Sequence, residues 1–352
     1  MKEGDADTRG EMAIQDTQSG ATLRIGTRGS KLARWQAEWV AGRLRELGHE
    51  VRLIEIATHG DLERARAIEE IGTRGVFTKE IQRALLAGDV DLGVHSLKDL
   101  PTEPVEGLIL AAVPPRESAA DVLALPTSVA GVERQRAPSD KAPGARPELD
   151  PGHPVLGIIS HGAHVGTGSL RRQAQLRYAR QDLRISDIRG NVDTRLRKLD
   201  EGQFDAIVLA EAGLRRLGLA DRITEVLDFE VMLPAVGQGA LALECRADDS
   251  TTRAAIAPLN DRLTHLAVLA ERGLLAHLRG GCMAPIGAWA QFVHDRLQLS
   301  AYVLRGDGTL RLQARDISRS TDPQAAELLG RRVAESLLHQ GAAELIAESR
   351  GS

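Results

Sequence analysis

The chain has 352 residues, of which 42% are hydrophobic and 27% charged, with a formal net charge of -4. This length exceeds that of one ordinary domain and predicts two or three. The acidic balance and an aromatic content of 3% disfavour a nucleic-acid-binding protein, which is normally basic and offers aromatic stacking surfaces. No apolar run in the sequence approaches the length of a membrane span.

Residues 1–21 lack the apolar segment of a secretory leader and are acidic rather than arginine-rich. They predict a disordered tail. The spacing of the two cysteines, Cys245 and Cys282, matches neither a disulfide framework nor a zinc site. These features together predict a cytoplasmic protein with reduced thiols and no metal.

The first ordered part of the chain alternates between strand-like and helix-like segments. Predicted strands cover 22–27, 51–58 and 91–96, and predicted helices cover 30–48 and 76–88. Ser30 has the character of a helix N-cap, and Gly88 of a helix stop. The first helix carries an apolar stripe that is predicted to face the core: Leu32, Trp35, Trp39, Leu44 and Leu47. The alternation predicts an α/β unit with a mostly parallel sheet.

A second unit of the same kind follows. Predicted helices cover 170–180 and 191–202, and predicted strands cover 183–188 and 204–210. Between the two units, five prolines within 134–154 exclude a regular element. The C-terminal part combines a long predicted helix, 261–278, with an alternating hairpin pattern over 297–305 and 309–317. This last part predicts a small α+β domain over 261–352.

Arginines are concentrated between residues 171 and 197, where there are eight. Some belong to solvated helix faces, but Arg171, Arg172, Arg189 and Arg195 fall near the ends of predicted elements, where α/β sheets bind ligands. Arginine binds carboxylates and phosphates through two parallel hydrogen bonds. No phosphate-binding glycine motif is present, so the cluster favours a ligand with several carboxylates.

Three further stretches each allow two interpretations. In HSLKDLP (95–101), Asp99 either starts a turn before a proline or is a carboxylate that stabilises a developing cation, while His95 is interpreted as a structural polar residue. In RGS (28–30), Arg28 and Ser30 are either a surface arginine and a cap or an anion site at a helix N-terminus. In VGQG, Gln238 marks either a hinge or a close approach to a ligand.

The stretch RGGCMAPIG (279–287) places Cys282 directly after two glycines. A cysteine inside an apolar run packs as a small hydrophobic residue, whereas this context favours a thiol at the tip of a loop. Pairing of Cys282 with His277 as a nucleophile and base is a third interpretation, but the sequence supplies no orienting group.

Seven separated stretches resemble motifs of one family, porphobilinogen deaminase, also called hydroxymethylbilane synthase. In chain order they are RGSKLARWQ, HSLKDLP, GTGSLRRQ, RGNVDTRL, AEAGLRRLGL, LPAVGQGALALECR and GGCMAPIG. The resemblance extends from residue 22 to the C-terminus and implies two periplasmic-binding-protein-like α/β domains with hinge strands, plus a small α+β domain. The boundaries expected are a tail over 1–21, domain 1 over 22–114 and 237–257, domain 2 over 117–233 with a proline-rich insertion at 126–154, and domain 3 over 261–352.

The resemblance also implies a reaction and its residues. A member of this family is a transferase of haem biosynthesis that joins four porphobilinogen molecules, with loss of ammonia, into hydroxymethylbilane. A dipyrromethane cofactor would be bound to Cys282 by a thioether, and Asp99 would be the catalytic carboxylate. The cofactor-binding residues implied are Lys98, Ser169, Arg171, Arg172 and Arg189, and the substrate-binding residues implied are Arg28, Ser30, Arg195 and Arg216. A monomer without nucleic-acid or membrane partners is expected.

Three features depart from the usual family pattern. Glu70 and Arg74 occupy a loop in which the family often has lysines. Gly168 replaces a frequent serine in GTGSLRRQ, and the insertion at 126–154 is unusually long.

Three rival functions remain at the level of the sequence. A dicarboxylate-binding module of the same two-domain fold would not need Cys282 and would normally carry a signal peptide. A nucleic-acid-binding protein would explain the arginine run but not the net acidity. A thiol hydrolase would need a base with an orienting group.

Overall fold

The computed structural model of the protein describes residues 22–57, 78–128, 156–281, 284–320 and 322–350. Several predictions fall partly or wholly outside the described residues. They concern the tail 1–21, the loop containing Glu70 and Arg74, the proline-rich stretch 134–154, and Cys282.

The first sheet has five strands in the order β2-β1-β3-β10-β4. They are β1 (Leu23–Thr27), β2 (Val51–Glu55), β3 (Leu92–Ser96), β4 (Leu108–Ala112) and β10 (Leu241–Arg246). Strands β1, β2 and β3 are parallel, and β10 returns from later in the chain to pair antiparallel with β3 and β4. The helices beside this sheet are α1 (Lys31–Glu46), α2 (Lys79–Ala87) and α6 (Ser250–Ile256), with a 3-10 turn at Ala257–Leu259.

The N-terminus of helix α1 agrees with the sequence prediction, whereas its buried face agrees only in part. The Ser30 hydroxyl accepts a hydrogen bond from the Ala33 N–H at 3.3 Å, so the predicted N-cap is present. The predicted apolar stripe is wrong at Trp35 and Leu47, which are 37% and 47% exposed. The stripe is confirmed at Leu44, which is buried. The rest of the buried face is made chiefly by the smaller residues Ala37, Val40 and Ala41, because short side chains let a helix lie close to a sheet.

The second sheet has five strands in the order β7-β6-β8-β5-β9. They are β5 (Asp121–Ala124), β6 (His164–Gly166), β7 (Arg184–Ser186), β8 (Ala206–Ala210) and β9 (Glu225–Val226). Its helices are α3 (Leu170–Ala179), α4 (Val192–Asp200), α5 (Glu211–Arg216) and a 3-10 turn at Ala220–Arg222. Strands β6, β7 and β8 are parallel, and β5 runs antiparallel between β8 and β9. The two sheets therefore share one arrangement of strands.

The C-terminal part forms a three-stranded antiparallel sheet covered by helices. Its strands are β11 (Ile286–Val293), β12 (Arg296–Leu304) and β13 (Arg311–Ser318), and its helices are α7 (Arg262–Leu278), α8 (Pro323–His339) and α9 (Ala342–Glu348). The predicted hairpin is confirmed by the pairing of Leu297 with Ser318 through Leu304 with Arg311. The core lies between the sheet and helices α7 and α8.

Two segments join the two α/β units, 113–120 between β4 and β5 and 227–240 between β9 and β10; we call them the hinge segments. They contact each other where the Glu117 N–H donates to the Gly239 carbonyl oxygen at 3.2 Å. The predicted fold class, two α/β domains joined by hinge segments and a small α+β domain, is confirmed, whereas the exact domain boundaries stay a prediction. No helix in the described ranges is both long and apolar enough to cross a membrane.

Candidate functional site

A cleft of about 490 Å³ lies between the two α/β units. Its walls come from the start of α1, the end of β3, the start of α4 and helix α5. The cleft therefore lies at the carboxyl ends of parallel strands, where open α/β sheets bind ligands. Among the predicted site residues that the structure describes, the wall includes Arg28, Ser30, Lys98, Asp99, Arg195 and Arg216.

Lys98 and Asp99 lie in a 3-10 turn, Leu97–Asp99, directly after β3. The turn is fixed to the second hinge segment because the N–H of buried Leu97 donates to the Ala240 carbonyl oxygen at 3.0 Å. Asp99 is exposed and lines the cleft. It lies in a turn, as one interpretation of the sequence has it, and its action on a developing cation stays a prediction.

The ammonium of Lys98 lies 3.5 Å from the Gln238 Oε1 atom. Burial lowers the pKa of Lys98 to about 8; the nearby Arg172 and Arg171 lower it further, whereas Asp99 and Asp121 raise it. An ammonium in this environment is poorly compensated, because burial disfavours the charged form. A carboxylate entering the cleft would supply the missing countercharge.

Arg171 and Arg172 converge behind the cleft on one fully buried carboxylate, Asp121. Arg171 donates from NH1 to Asp121 Oδ2 at 2.7 Å, and Arg172 donates from Nε and NH2 to Oδ1 at 3.0 and 2.7 Å. Burial alone would raise the pKa of the Asp121 carboxyl, but the two guanidinium groups hold it well below its usual range. Two cations facing one anion leave a net positive charge, and the buried Arg171 Nε has no hydrogen-bond partner among the described residues.

Asp121 was missed at the level of the sequence, where it precedes the apolar residues VLAL without a motif of its own. The same carboxylate accepts a hydrogen bond from Gln238 Nε2 at 2.9 Å, and Gln238 Nε2 also donates to the Ala119 carbonyl oxygen at 2.7 Å. Gln238 thus ties the two hinge segments together beside Lys98, which supports its interpretation as a hinge residue.

Arg195 and Arg216 supply positive charge from the second domain. Burial lowers the pKa of Arg195 to about 10, and the like charges of Arg172 and Arg189 lower it further. Arg216 donates from NH2 to the Gly239 carbonyl oxygen at 2.6 Å, and its guanidinium carbon lies 5.9 Å from the centre of the Trp35 ring. Burial also lowers the pKa of Arg216 to about 10.

The remaining residues singled out in the sequence differ in their surroundings. Ser169 caps helix α3, where its hydroxyl accepts from the Arg172 N–H at 3.5 Å. Arg189 is exposed and forms an ion pair with Asp187. His277 lies 3.8 Å from the Glu335 carboxylate. His95 borders the cleft but is buried, and its Nε2 atom lies 3.1 Å from a Glu244 oxygen, which fits its interpretation as a structural residue.

The structure gives a reason for the unusual Gly168. A Cβ atom at this position would lie 2.7 Å from Asp187 Oδ1 and 3.1 Å from the Ile188 carbonyl oxygen. The Asp187 side chain therefore occupies the space that a larger residue at 168 would need.

Replacing Gly168 by Ser is expected to displace Asp187 and to destabilise the second domain by about 1 kcal/mol, as modest overpacking does. The double variant Gly168→Ser with Asp187→Ser should recover most of this loss, because the two sites are in contact and couple. Thermal unfolding of both variants and of Asp187→Ser alone measures the coupling. Additive losses would contradict the steric explanation.

Taken together, the fold and the cleft define a class of protein: two α/β domains with a cation-lined cleft between them, of the kind that suits a small anionic molecule. The cations converge on the cleft from both domains, and the Asp99 carboxylate stands among them. Pockets with convergent polar groups and perturbed pKa values are typical of binding and active sites.

Comparison with known proteins identifies the family. The family model "Porphobilinogen deaminase, dipyromethane cofactor binding domain" matches residues 23–254, and "Porphobilinogen deaminase, C-terminal domain" matches residues 265–339. The chain is 44% identical over 330 residues to a porphobilinogen deaminase of Pelotomaculum thermopropionicum, covering 93% of this chain and 97% of that protein. A porphobilinogen deaminase of Chlorobium limicola is 43% identical over 334 residues, with coverages of 93% and 98%. The chain belongs to the porphobilinogen deaminase family.

Similarity to solved structures is much more distant, as one example illustrates. The methionine-binding protein MetQ has a TM-score of 0.40 and 13% identity, over 68% of this chain and 89% of that chain. A likeness at this distance carries no argument about function.

Proposed function

We propose that this protein is a porphobilinogen deaminase, a transferase of porphyrin biosynthesis that joins four porphobilinogen molecules and releases ammonia and hydroxymethylbilane. The observation that carries the proposal is the cleft, where cations of both domains surround the Asp99 carboxylate in a chain that belongs to this family. Porphobilinogen bears acetate and propionate groups, so the substrate and its growing chain are polyanions. A dicarboxylate-binding module would use the cations but not Asp99.

Residues in the wall of the cleft and behind it fit a dipyrromethane cofactor with its own carboxylates. Behind the cleft, Arg171 has a buried Nε without a partner among the described residues. In the wall, Lys98 is a half-buried cation whose pKa is lowered by burial. We assign cofactor carboxylates to Lys98, Arg171 and Arg172, with Ser169 and Arg189 completing the set. When bound, the cofactor supplies the pyrrole carbon to which the first substrate unit is joined.

We assign the thioether to Cys282, which lies outside the described residues. The alternative thiol, Cys245, lies within β10 and is buried, and burial raises its pKa to about 11. Since the thiolate is the nucleophile, Cys245 is poorly suited to attachment. The sequence context of Cys282, directly after two glycines, favours an accessible thiol.

We assign the chemistry to Asp99. Loss of ammonia from porphobilinogen leaves a cation, and a preorganised carboxylate stabilises charge that develops in a transition state. Arg28, Ser30, Arg195 and Arg216 line the same cleft and would hold the substrate carboxylates. A cytoplasmic monomer without nucleic-acid or membrane partners, and the domain boundaries given above, belong to the same proposal.

The activity is tested by incubating the purified protein with porphobilinogen and measuring both ammonia and hydroxymethylbilane. The proposal expects four ammonia molecules for each hydroxymethylbilane, and Cys282→Ala should give neither product. Binding of porphobilinogen without ammonia release would instead support the dicarboxylate-binding module.

The lowered pKa of Lys98 predicts a pH dependence of cofactor loading. In the cofactor-free protein, Lys98 is charged below about pH 8 and loses its proton as the pH rises through that value. If its charge binds a cofactor carboxylate, the rate at which cofactor-free protein gains the cofactor mass at limiting porphobilinogen should fall above pH 8, toward about tenfold per pH unit. In Lys98→Arg the cation persists, so the fall should be absent between pH 8 and 9. The same pH dependence of loading in the two proteins would contradict the assignment of Lys98.

A further inference from the structure

We propose that Arg272, on helix α7 of the C-terminal domain, is a positioning residue that holds the backbone around Asp99 for the reaction. The inference rests on the proposed role of Asp99. It assigns to the C-terminal domain a part in catalysis beyond carrying Cys282.

Arg272 binds the chain immediately after Asp99. Its NH1 group donates to the Leu100 carbonyl oxygen at 3.0 Å, and its NH2 group donates to the Pro101 carbonyl oxygen at 2.7 Å. Two consecutive carbonyl groups thus engage the two arms of one planar guanidinium, a geometry that a lysine cannot reproduce. The Leu100 N–H also donates to the Leu97 carbonyl oxygen at 3.0 Å, so the turn that presents Asp99 is fixed on both sides.

The partners of Arg272 indicate positioning rather than net stabilisation. Burial lowers the pKa of its guanidinium, and the Glu244 charge raises it. Among the described residues, its hydrogen bonds are to two neutral carbonyl groups and not to a carboxylate. A half-buried cation with neutral partners recovers only part of its desolvation cost, so the contact is better suited to fixing geometry than to adding stability.

Glu271, the neighbour of Arg272 on helix α7, binds the second hinge segment next to Lys98. Glu271 accepts a hydrogen bond from the Gly237 N–H at 2.7 Å, and the next residue, Gln238, contacts Lys98. Arg116 of the first hinge segment also donates to Glu271, at 2.7 and 3.1 Å. Helix α7 therefore holds both the Asp99 turn and the hinge.

Packing supports the same coupling. Val268, one turn before Arg272, lies in a buried apolar cluster with Leu97 and Leu100, on either side of Asp99 in the chain. At its other end, α7 stops at Leu278, and the sequence reaches Cys282 four residues later. The helix that contacts the Asp99 turn is thus the element that precedes Cys282 in the sequence.

If Arg272 positions Asp99, its replacement should change kcat and KM to different extents. Without the guanidinium, the Asp99 turn gains freedom while the arginines that bind carboxylates remain in place. Transition-state stabilisation should fall more than substrate binding, which lowers kcat with little effect on KM. We expect Arg272→Gln to lower kcat by about tenfold or more and to leave KM within about twofold.

The experiment measures kcat and KM of cofactor-loaded variants. The single variants are Arg272→Gln, Arg272→Lys, Asp99→Ala and the exposed control Arg296→Gln, and the double variant combines Arg272→Gln and Asp99→Ala. Intact mass and circular dichroism first establish cofactor content and folding. Arg296→Gln should match the wild type, and Arg272→Lys, which keeps the charge but not the fork, should lie between the wild type and Arg272→Gln. If Arg272→Gln fails to fold or load, Arg272→Lys alone decides by its kcat.

The double variant separates positioning from a general structural role. If Arg272 acts through Asp99, adding Arg272→Gln to Asp99→Ala should cause little further loss, because the two residues act as a unit. The inference would be overturned if Arg272→Gln lowered kcat by the same factor in the wild type and in Asp99→Ala. It would also be overturned if the single Arg272 variants had the kcat of the wild type. A near-wild-type Asp99→Ala would instead overturn the proposed role of Asp99.

Discussion

Replacing Asp99 by Ala is expected to lower kcat by on the order of a hundredfold or more, the usual loss when one preorganised electrostatic group is removed. The side chain is exposed in the cleft and lies in a turn fixed by backbone hydrogen bonds, so the variant should fold. The cations that bind carboxylates remain, and affinity for porphobilinogen should be retained. Turnover and binding measured on the same cofactor-loaded protein test this prediction.

A matched control for Asp99 is Glu103, an exposed carboxylate four residues further along the chain. Glu103→Ala should keep wild-type turnover. Turnover of Asp99→Ala within a few-fold of wild type would mean that the catalytic carboxylate lies elsewhere.

Among the substitutions considered for stability, Asp121→Ala is expected to lower the free energy of unfolding the most, by about 3–5 kcal/mol, because it leaves two buried guanidinium groups without their countercharge. The carboxylate accepts three hydrogen bonds from these two arginines and one from Gln238. Its pKa in the folded protein is held below the ordinary value of 3.8. The stabilisation is therefore present above about pH 4 and is lost as the pH falls through the lower folded value.

Chemical denaturation at neutral pH compares Asp121→Ala with Asp187→Ala. Asp187 also pairs with an arginine, but both partners are largely exposed, and such pairs contribute only about 0–1 kcal/mol. Asp121→Asn keeps a hydrogen-bond acceptor and should fall between the two. Equal, small losses for all three variants would show that the buried cations do not depend on Asp121.

Elements with strong local signals could be predicted from the sequence. Helix α1 begins at the Ser30 cap, and α2 ends at Gly88, whose φ of +76° is the left-handed conformation that glycine adopts readily. Strands β4, β5, β6, β9, β10 and β11 were missed. Strands β5, β6 and β9 have two to four residues each, too few to display a period. Strand β4 pairs with β10, which follows much later in the chain, so this pairing has no local signal.

Trp35 shows where periodicity misleads. Its spacing fits a core stripe, but its ring is exposed and lies 5.9 Å from the Arg216 guanidinium of the other domain. A hydrophobic pattern indicates that a side chain packs against something, and it does not say whether the partner is the helix's own sheet or a second domain.

Some residues of the candidate site could be predicted from the sequence, and others could not. Lys98, Arg195 and Arg216 could be proposed from their places at element ends and from the family motifs. Asp121 and Arg272 could not, because their importance depends on which strand lies beside β8 and which carbonyl groups face helix α7. Those facts arise from tertiary packing over separations of 50 residues or more.

The proposed covalent attachment of dipyrromethane to Cys282 is tested most directly by the intact mass of the denatured protein. After expression in cells that make porphobilinogen, the wild type and Cys245→Ala should each exceed their sequence mass by one dipyrromethane unit. Cys282→Ala should have its sequence mass and no activity. A wild-type protein with an unmodified mass would contradict the account.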